Sequence, residues 1–245
     1  MEQYGLIGYP LGHSFSRRFF NEEFFPEHGI EAEYLNFEIP EAEGLLEVVR
    51  THPLLRGLNC TIPHKQAVIP LLDEISPEAR EIGAVNVIRI RDGRLKGFNS
   101  DIIGFMDSLR PLLQPHHRRA LVLGSGGASK AVWAGLLRLG LEPTQVSRKA
   151  GEGVLSYEML SPEVMADHTV VVNCSPVGMF PHVDKCPAIP YELLSGRHLL
   201  YDLVYNPLDT LFMQRGRERG ATVKNGLEML RLQALASWKF WHSEL

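Results

Sequence analysis

RRALVLGSGGASKAVWAGLLRLG, residues 118–140, decides the architecture of the second half of the chain. Ala120 to Leu123 is an apolar run of strand length, a glycine cluster follows, and an apolar-periodic segment opens near Ala128 and closes at Gly140. This order predicts a strand, a phosphate-binding turn and a helix. Gly124 and Gly126 permit close backbone approach to a pyrophosphate, and the helix start offers unpaired N–H groups at a positive dipole end. The glycine fingerprint is incomplete, because Ser129 holds its third position. A second strand, Thr144 to Ser147, ends about 20 residues on, where a protein binding NAD places an acid for the ribose hydroxyls. Ser147, Arg148 and Lys149 stand there instead, and a basic pair suits a 2′-phosphate, favouring NADP over NAD.

Two further strands are predicted downstream, Thr169 to Asn173 and Leu199 to Val204. Each runs into a proline-bearing loop, CSPVGM (174–179) and YNPLDT (205–210). In a doubly wound sheet the carboxyl ends of strands face the ligand crevice, so these loops are expected to wall the nicotinamide site. The last segment, residues 225–241, reads as a helix with Leu227, Leu230, Ala234, Leu235 and Trp238 on its apolar face and the polar Gln233 near it.

Upstream, strands and helices alternate again: a strand Gln3 to Gly8, a helix Ser16 to His28, a strand Ala32 to Glu38, a helix Glu41 to Thr51 and a strand Gly57 to Ile62. Helices over Lys65 to Asp73 and Ser76 to Gly83 follow. Strands Val85 to Ile90 and Arg94 to Asn99 are joined by the turn residues Asp92 and Gly93. This order implies a mostly parallel sheet covered by helices. Within it LNCTIPHK (58–65) sets Pro63 after a strand-like run. Proline lacks the N–H a sheet ladder needs, so the strand should stop at Ile62 and leave Lys65 at the sheet rim.

The composition bounds the rest. With 245 residues, 44% hydrophobic and 22% charged, the chain suits two globular domains. A net charge of −4 argues against a general nucleic-acid or anionic-membrane binder but leaves room for a small anionic ligand. Cys60, Cys174 and Cys186 form neither a disulfide framework nor a tetrahedral metal set, and buried free thiols are expected. No apolar stretch approaches membrane-spanning length, and the N-terminus lacks the basic start and apolar run of a secretory signal. A cytoplasmic, metal-free protein is the expectation.

Taken together, GYPLGHSFS (8–16), LNCTIPHK (58–65), GAVN (83–86), GFNSD (97–101), GSGGASKA (124–131), NCSPVGM (173–179), DLVYNP (202–207) and NGLEMLRLQA (225–234) resemble shikimate dehydrogenases. The order and spacing follow that family over nearly the whole chain. The resemblance implies a substrate-binding domain at residues 1–103, a Rossmann-like NADP domain at 104–225, and a C-terminal helix at 226–245 returning to the first. It implies a catalytic pair, Lys65 and Asp101, and reversible hydride transfer between NADPH and the C3 carbonyl of 3-dehydroshikimate. A cation able to give a proton stabilises the charge that develops on the carbonyl oxygen, while a carboxylate holds the ammonium and a ring hydroxyl.

By the same resemblance Ser14 and Ser16 take the substrate carboxylate, with helix capping the plain alternative for Ser16. Asn59, Thr61 and Asn86 take ring hydroxyls, and Tyr205 and Gln233 make further contacts. Gly124, Ser125, Gly126, Gly127, Ala128, Ser147, Arg148, Lys149, Leu203 and Gly226 line the cofactor. His13 and His64 carry no assigned role. Ser147 and Lys149 depart from the family's usual Asn and Thr, so NADP preference rests on Arg148 with help from Lys149. Only 24 residues separate Arg148 from Asn173, fewer than the family spends there, which predicts a trimmed cofactor domain with no helix between Lys149 and Ser156. The partner is a small molecule, and the chain is a monomer or homodimer. The rival readings are a quinate/shikimate dehydrogenase accepting NAD and a non-catalytic ligand sensor, the latter expected to have lost Lys65 or Asp101.

Overall fold

The computed structural model describes residues 1–12 and 14–243 and forms two compact units, Met1–Ser100 with Ala234–Leu245, and Asp101–Gln233. Each unit is built on a six-stranded sheet.

In the first unit, β1 (Glu2–Gly8), β2 (Ala32–Glu38), β3 (Leu55–Cys60), β4 (Glu74–Ile75), β5 (Val87–Arg91) and β6 (Arg94–Phe98) lie in the order β2-β1-β3-β5-β6-β4. β1 pairs in parallel with β2 and β3, and β4 with β6, whereas β5 runs antiparallel to β3 and β6. The β5–β6 hairpin turns at Asp92 and Gly93, with φ of 52° and 72°. Two consecutive left-handed residues match the right-handed twist of the flanking strands, the reason Asp-Gly marks such turns.

Alternation along β1 and β3 separates two cores. Ile7, Leu58 and Cys60 enter one, with Leu45 and Val48 of α3 (Gly44–Thr51). Tyr4 and Leu6 enter the other, an aromatic core with Phe19, Phe20, Phe24, Phe25, Tyr34 and Trp241. The predicted first helix begins as α1 (Phe15–Arg18), widens into a π-helical stretch (Phe19–Phe24), and ends as α2 (Phe25–Glu27). In the wider turn, residues five apart share a face, which brings those four phenylalanines to one buried side.

Two predicted elements differ and one strand is new. No α-helix forms over 65–73: after Val68 N–H bonds His64 O at 3.0 Å the bonds tighten to the i−3 pattern, and only a 3₁₀ turn, Ile69–Leu71, follows. Pro70 cannot donate and disfavours helical geometry at Ile69. β3 stops at Cys60, two residues before Ile62, although Thr61 N–H still bonds Ile7 O. The two-residue strand β4 was not foreseen. By contrast α4 (Pro77–Ile82) forms within the predicted span Ser76 to Gly83, capped by Ser76 and closed by left-handed Gly83.

The second unit contains α5 (Asp101–Leu109), β7 (Arg119–Leu123), α6 (Gly127–Arg138), β8 (Glu142–Ser147), β9 (Val154–Ser156), α7 (Pro162–Asp167), β10 (Val170–Asn173), β11 (Leu199–Asp202), α8 (Leu211–Glu218) and β12 (Thr222–Lys224). Its order is β12-β11-β10-β7-β8-β9, with every pairing parallel. Counted within the unit this is the doubly wound order 3-2-1-4-5-6 of dinucleotide-binding sheets. The β8-to-β9 crossover is only residues 148–153, closed by reciprocal Gly151–Val154 backbone bonds of 3.0 and 3.1 Å. No α-helix lies between Lys149 and Ser156.

α9 (Leu227–His242) ends the described chain. Its Met229 packs in the core of the second unit, and its Ala234 and Trp241 in the aromatic core of the first. The division therefore falls inside this helix, at Gln233/Ala234, rather than ahead of it. A side chain at Gly57 would overlap the Trp241 indole, so α9 returns flush against β3.

Candidate active site

In the first unit, Asn59 stands on β3 opposite the face that carries Leu58 and is 4% exposed. Its Nδ2 donates to Asn86 O at 3.2 Å and to Ser237 Oγ at 2.8 Å, and its Oδ1 accepts from the Tyr34 hydroxyl at 2.8 Å. Asn86 donates through Nδ2 to Ser100 Oγ at 3.0 Å and accepts the Ser100 N–H at 2.7 Å. Ser100 Oγ and Ser237 Oγ lie 3.1 Å apart. Tyr34, stacked on Phe20, also interacts with the Ser16 hydroxyl, and burial holds its phenol far above its ordinary pKa. Three predicted residues, Ser16, Asn59 and Asn86, thus join one buried network. Tyr34 and Ser237, which complete it, were missed; only the polar interruption of the apolar α9 pattern could have flagged Ser237.

Ser14, not Ser16, caps the first helix, its hydroxyl accepting from Arg17 N–H at 3.2 Å. Ser16 is buried within the first turn and is not a cap. Lys65 is half-buried, and its carbonyl accepts the Val85 N–H at 2.7 Å, which fixes the backbone from which the ammonium extends. Thr61 is half-buried just beyond β3. His64 is buried with Nε2 2.6 Å from Ile39 O, a packing role. His13 lies outside the described residues. Of the cysteines, Cys60 is buried but Cys174 and Cys186 are partly exposed, a correction to the expectation of three buried thiols.

In the second unit, Asp101 opens α5 and is 7% exposed. Gly124 leaves β7 at φ +98°, a conformation that favours glycine, and a Cβ there would press on Ser175. Gly126 is the N-cap of α6, makes no side-chain cap, and faces open space. The twelve-residue α6 thus presents backbone donors and its positive end beside room for a ligand. These residues fit a dinucleotide pyrophosphate. Ser129, in place of the third glycine, turns inward and donates to Gly126 O at 2.6 Å. Gln145 ties the turn to the sheet, with Nε2 2.6 Å from Gly124 O and 2.9 Å from Val122 O.

Ser125 is exposed, Gly127 and Ala128 half-buried. At the carboxyl end of β8, Ser147 is half-buried and Arg148 and Lys149 are exposed, as a basic contact to a phosphate requires. Burial raises the Tyr157 phenol pKa, and the Arg148 charge opposes that.

Leu203 and Gly226 meet backbone to backbone, Gly226 N–H donating to Val204 O at 3.2 Å. A side chain at Gly226 would overlap Leu203 O. The loops after β10 and β11 are joined by Asp202, whose carboxylate accepts from Asn173 Nδ2 at 2.9 Å, Val204 N–H at 3.1 Å and Thr210 Oγ at 2.6 Å. Burial pushes its pKa up to about 6 against the pull of those donors. Tyr205 is half-buried with its phenol raised by burial, and Gln233 is buried with Nε2 2.9 Å from Leu230 O. Among the described residues no group of three or more His, Cys, Asp or Glu could hold a metal, and no helix is long and apolar enough to cross a membrane.

A doubly wound parallel sheet with a glycine turn at an uncapped helix, in one chain with a separate α/β unit that holds a buried carboxamide and hydroxyl network, defines a two-domain α/β oxidoreductase with a Rossmann-like unit. Residues 6–88 match the shikimate dehydrogenase substrate binding domain. The NADP(+) shikimate dehydrogenase of Syntrophomonas wolfei is 38% identical over 248 residues, 93% of this chain and 85% of that one. The chain belongs to the shikimate dehydrogenase family. Among solved structures, shikimate 5-dehydrogenase of Thermus thermophilus in complex with NADP(H) and shikimate superposes with a TM-score of 0.87 at 33% identity, covering 99% of this chain and 94% of that one. A quinate dehydrogenase of Corynebacterium glutamicum in complex with NAD also has a TM-score of 0.87, at 26% identity and covering 98% and 93%.

Proposed function

We infer that this chain catalyses the reversible NADPH-dependent reduction of 3-dehydroshikimate to shikimate, a step of aromatic amino-acid biosynthesis. The observation that carries the reading is likeness over 99% of the chain, at 33% identity, to an enzyme solved with both NADP(H) and shikimate. Bound NADPH supplies the hydride. Lys65 serves the oxygen that gains charge, giving it a proton in reduction and taking it back in oxidation. Asp101 accepts from the neighbouring ring hydroxyl. Ser14 and Ser16 hold the carboxylate, Asn59, Thr61 and Asn86 the ring hydroxyls, and Tyr205 and Gln233 add contacts. The α6 turn at Gly124–Ala128 holds the pyrophosphate, Ser147, Arg148 and Lys149 the 2′-phosphate, and Leu203 and Gly226 the nicotinamide end. The proposed compartment is the cytoplasm, with the chain a monomer or homodimer.

A quinate/shikimate dehydrogenase that accepts NAD is the second reading, favoured by Ser147 and Lys149 in the segment read as gripping the phosphate and by the quinate dehydrogenase likeness, which is weaker at 26% identity. NADPH oxidation with 3-dehydroshikimate, beside NADH and quinate controls, separates the two. In the same assay Lys65→Met is expected to lower kcat on the order of 10³-fold with little change in substrate KM, because the lost charge acts mainly in the transition state. A Lys65→Met enzyme keeping roughly a tenth of wild-type kcat overturns the role given to Lys65.

A further inference from the structure

The buried network around Asn59 limits what that residue can offer a ligand. A backbone carbonyl only accepts, so the Asn59 atom facing Asn86 O must be the amide nitrogen. Ser237 Oγ, 2.8 Å from the same nitrogen, takes its second hydrogen. Both donors of the carboxamide are then committed inside the protein. Oδ1 has accepted one hydrogen, from Tyr34, and a carboxamide oxygen accepts two. Asn59 is left with a single acceptor position.

The geometry points to Ser237 as a positioning residue that, with Asn86 O, locks the Asn59 carboxamide so that it reads one ring hydroxyl strictly as an acceptor. This rests on the proposed reading, in which Asn59 touches the substrate ring. It has a chemical consequence. The reacting carbon alternates between a ketone, which cannot donate, and an alcohol, which can. An acceptor-only group cannot serve that oxygen in both states, so Asn59 reads a hydroxyl that the reaction leaves unchanged. A keto group or carboxylate at that position would set oxygen against buried oxygen and be rejected, as would a compound lacking the hydroxyl. Ser237 is fully buried on α9 and Asn59 on β3, 178 residues apart in sequence, so the specificity of the first unit depends on its last helix.

The test is Ser237→Ala, with Ser237→Cys as the volume-conserving companion, because a thiol is a poor acceptor in the same space. Steady-state constants are measured with shikimate and with the two monodeoxy analogues that each lack one non-reacting ring hydroxyl. Protection of the Asn59 side-chain amide protons is followed by NMR in the ligand-free protein. The expected result is a KM for shikimate raised roughly tenfold with kcat within about twofold and KM for NADP+ unchanged, one Asn59 amide proton losing protection, and one deoxy analogue handled equally by wild type and variant. An unchanged shikimate KM, or an equal loss with shikimate and both analogues, overturns the assignment. So does an unaltered Asn59 amide. Wild-type protein that fails to oxidise shikimate with NADP+ brings down the parent reading instead, and the amide signal still reports whether Ser237 orients Asn59. If Ser237→Ala does not fold, the same criteria are read from Ser237→Cys.

Discussion

The Thr210 hydroxyl donates to the buried Asp202 carboxylate at 2.6 Å, and through this bond the residue that caps α8 is fastened to the end of β11. Burial dominates at Asp202 and raises its pKa to about 6, so the folded protein holds this proton more tightly than the unfolded chain. For a carboxyl raised in this way, the stabilising contribution is complete below the unfolded pKa of about 3.9 and is lost as pH rises through the folded value. Asp202→Asn carries no such dependence. Urea unfolding of both proteins should show the variant gaining on wild type by about 2 kcal/mol between about pH 4.5 and about pH 7.5. A difference that stays flat or runs the other way refutes the burial-dominated account.

The serines at the start of the first helix should both weaken shikimate binding when lost but differ in what they do to stability. Ser14→Ala removes the cap and should cost about 0.5–2 kcal/mol of stability, with Ser14→Thr restoring most of it. Ser16→Ala leaves the cap in place and removes a hydroxyl from the network. Its shikimate affinity should fall by about 1–3 kcal/mol while NADPH binding is untouched. Thermal melts beside shikimate titrations decide the matter, and a Ser16→Ala protein that only melts lower removes Ser16 from the site.

The bare β8-to-β9 crossover leaves Arg148 exposed with few neighbours to share in gripping a cofactor. Arg148→Ala should cost roughly 1.5–3 kcal/mol toward NADPH and little toward NADH, moving the enzyme toward indifference. Added salt should raise KM for NADPH more than for NADH in the wild type, since an exposed phosphate contact is screened. An unchanged NADPH-to-NADH ratio in the variant contradicts this.

Two glycines should respond in opposite ways to the same methyl group. Gly226→Ala drives a Cβ into the Leu203 carbonyl, rigid backbone that cannot swing aside, and should destabilise the protein by about 1–3 kcal/mol. Gly126 has φ −71° and open space around its would-be Cβ, so Gly126→Ala should melt like wild type yet raise KM for NADPH. Equal melting temperatures for the two variants would contradict the geometry.

What could be read from the chain was local. Asp92-Gly93 announces its hairpin because two left-handed residues are needed there, and Gly124 and Gly126 announce a phosphate turn because backbone must come close to a ligand. Ser76 and Gly83 bracket α4 by capping alone. The failures were of two kinds. Over 65–73 helical-looking content outweighed the steric effect of Pro70, and capping was considered for Ser16 when it is Ser14 that the backbone places at the helix end. The Tyr34–Asn59–Ser237 chain was invisible for another reason: strand pairing and the return of α9 create it, and no spacing along the sequence encodes a contact between residues 59 and 237.

The first unit is built from two pieces of chain, residues 1–100 and 234–245, separated by the whole of the second. During synthesis the ribosome therefore delivers β1–β6 long before Trp241, whose indole covers β3 at Gly57, and before Ser237 reaches Asn59. The aromatic face of the first sheet, covered early by Phe19, Phe20, Phe24 and Phe25, lacks Ala234 and Trp241 while residues 101–233, contiguous in sequence, emerge. All of the second unit, residues 101–233, is therefore made before α9 supplies the residues that complete the first.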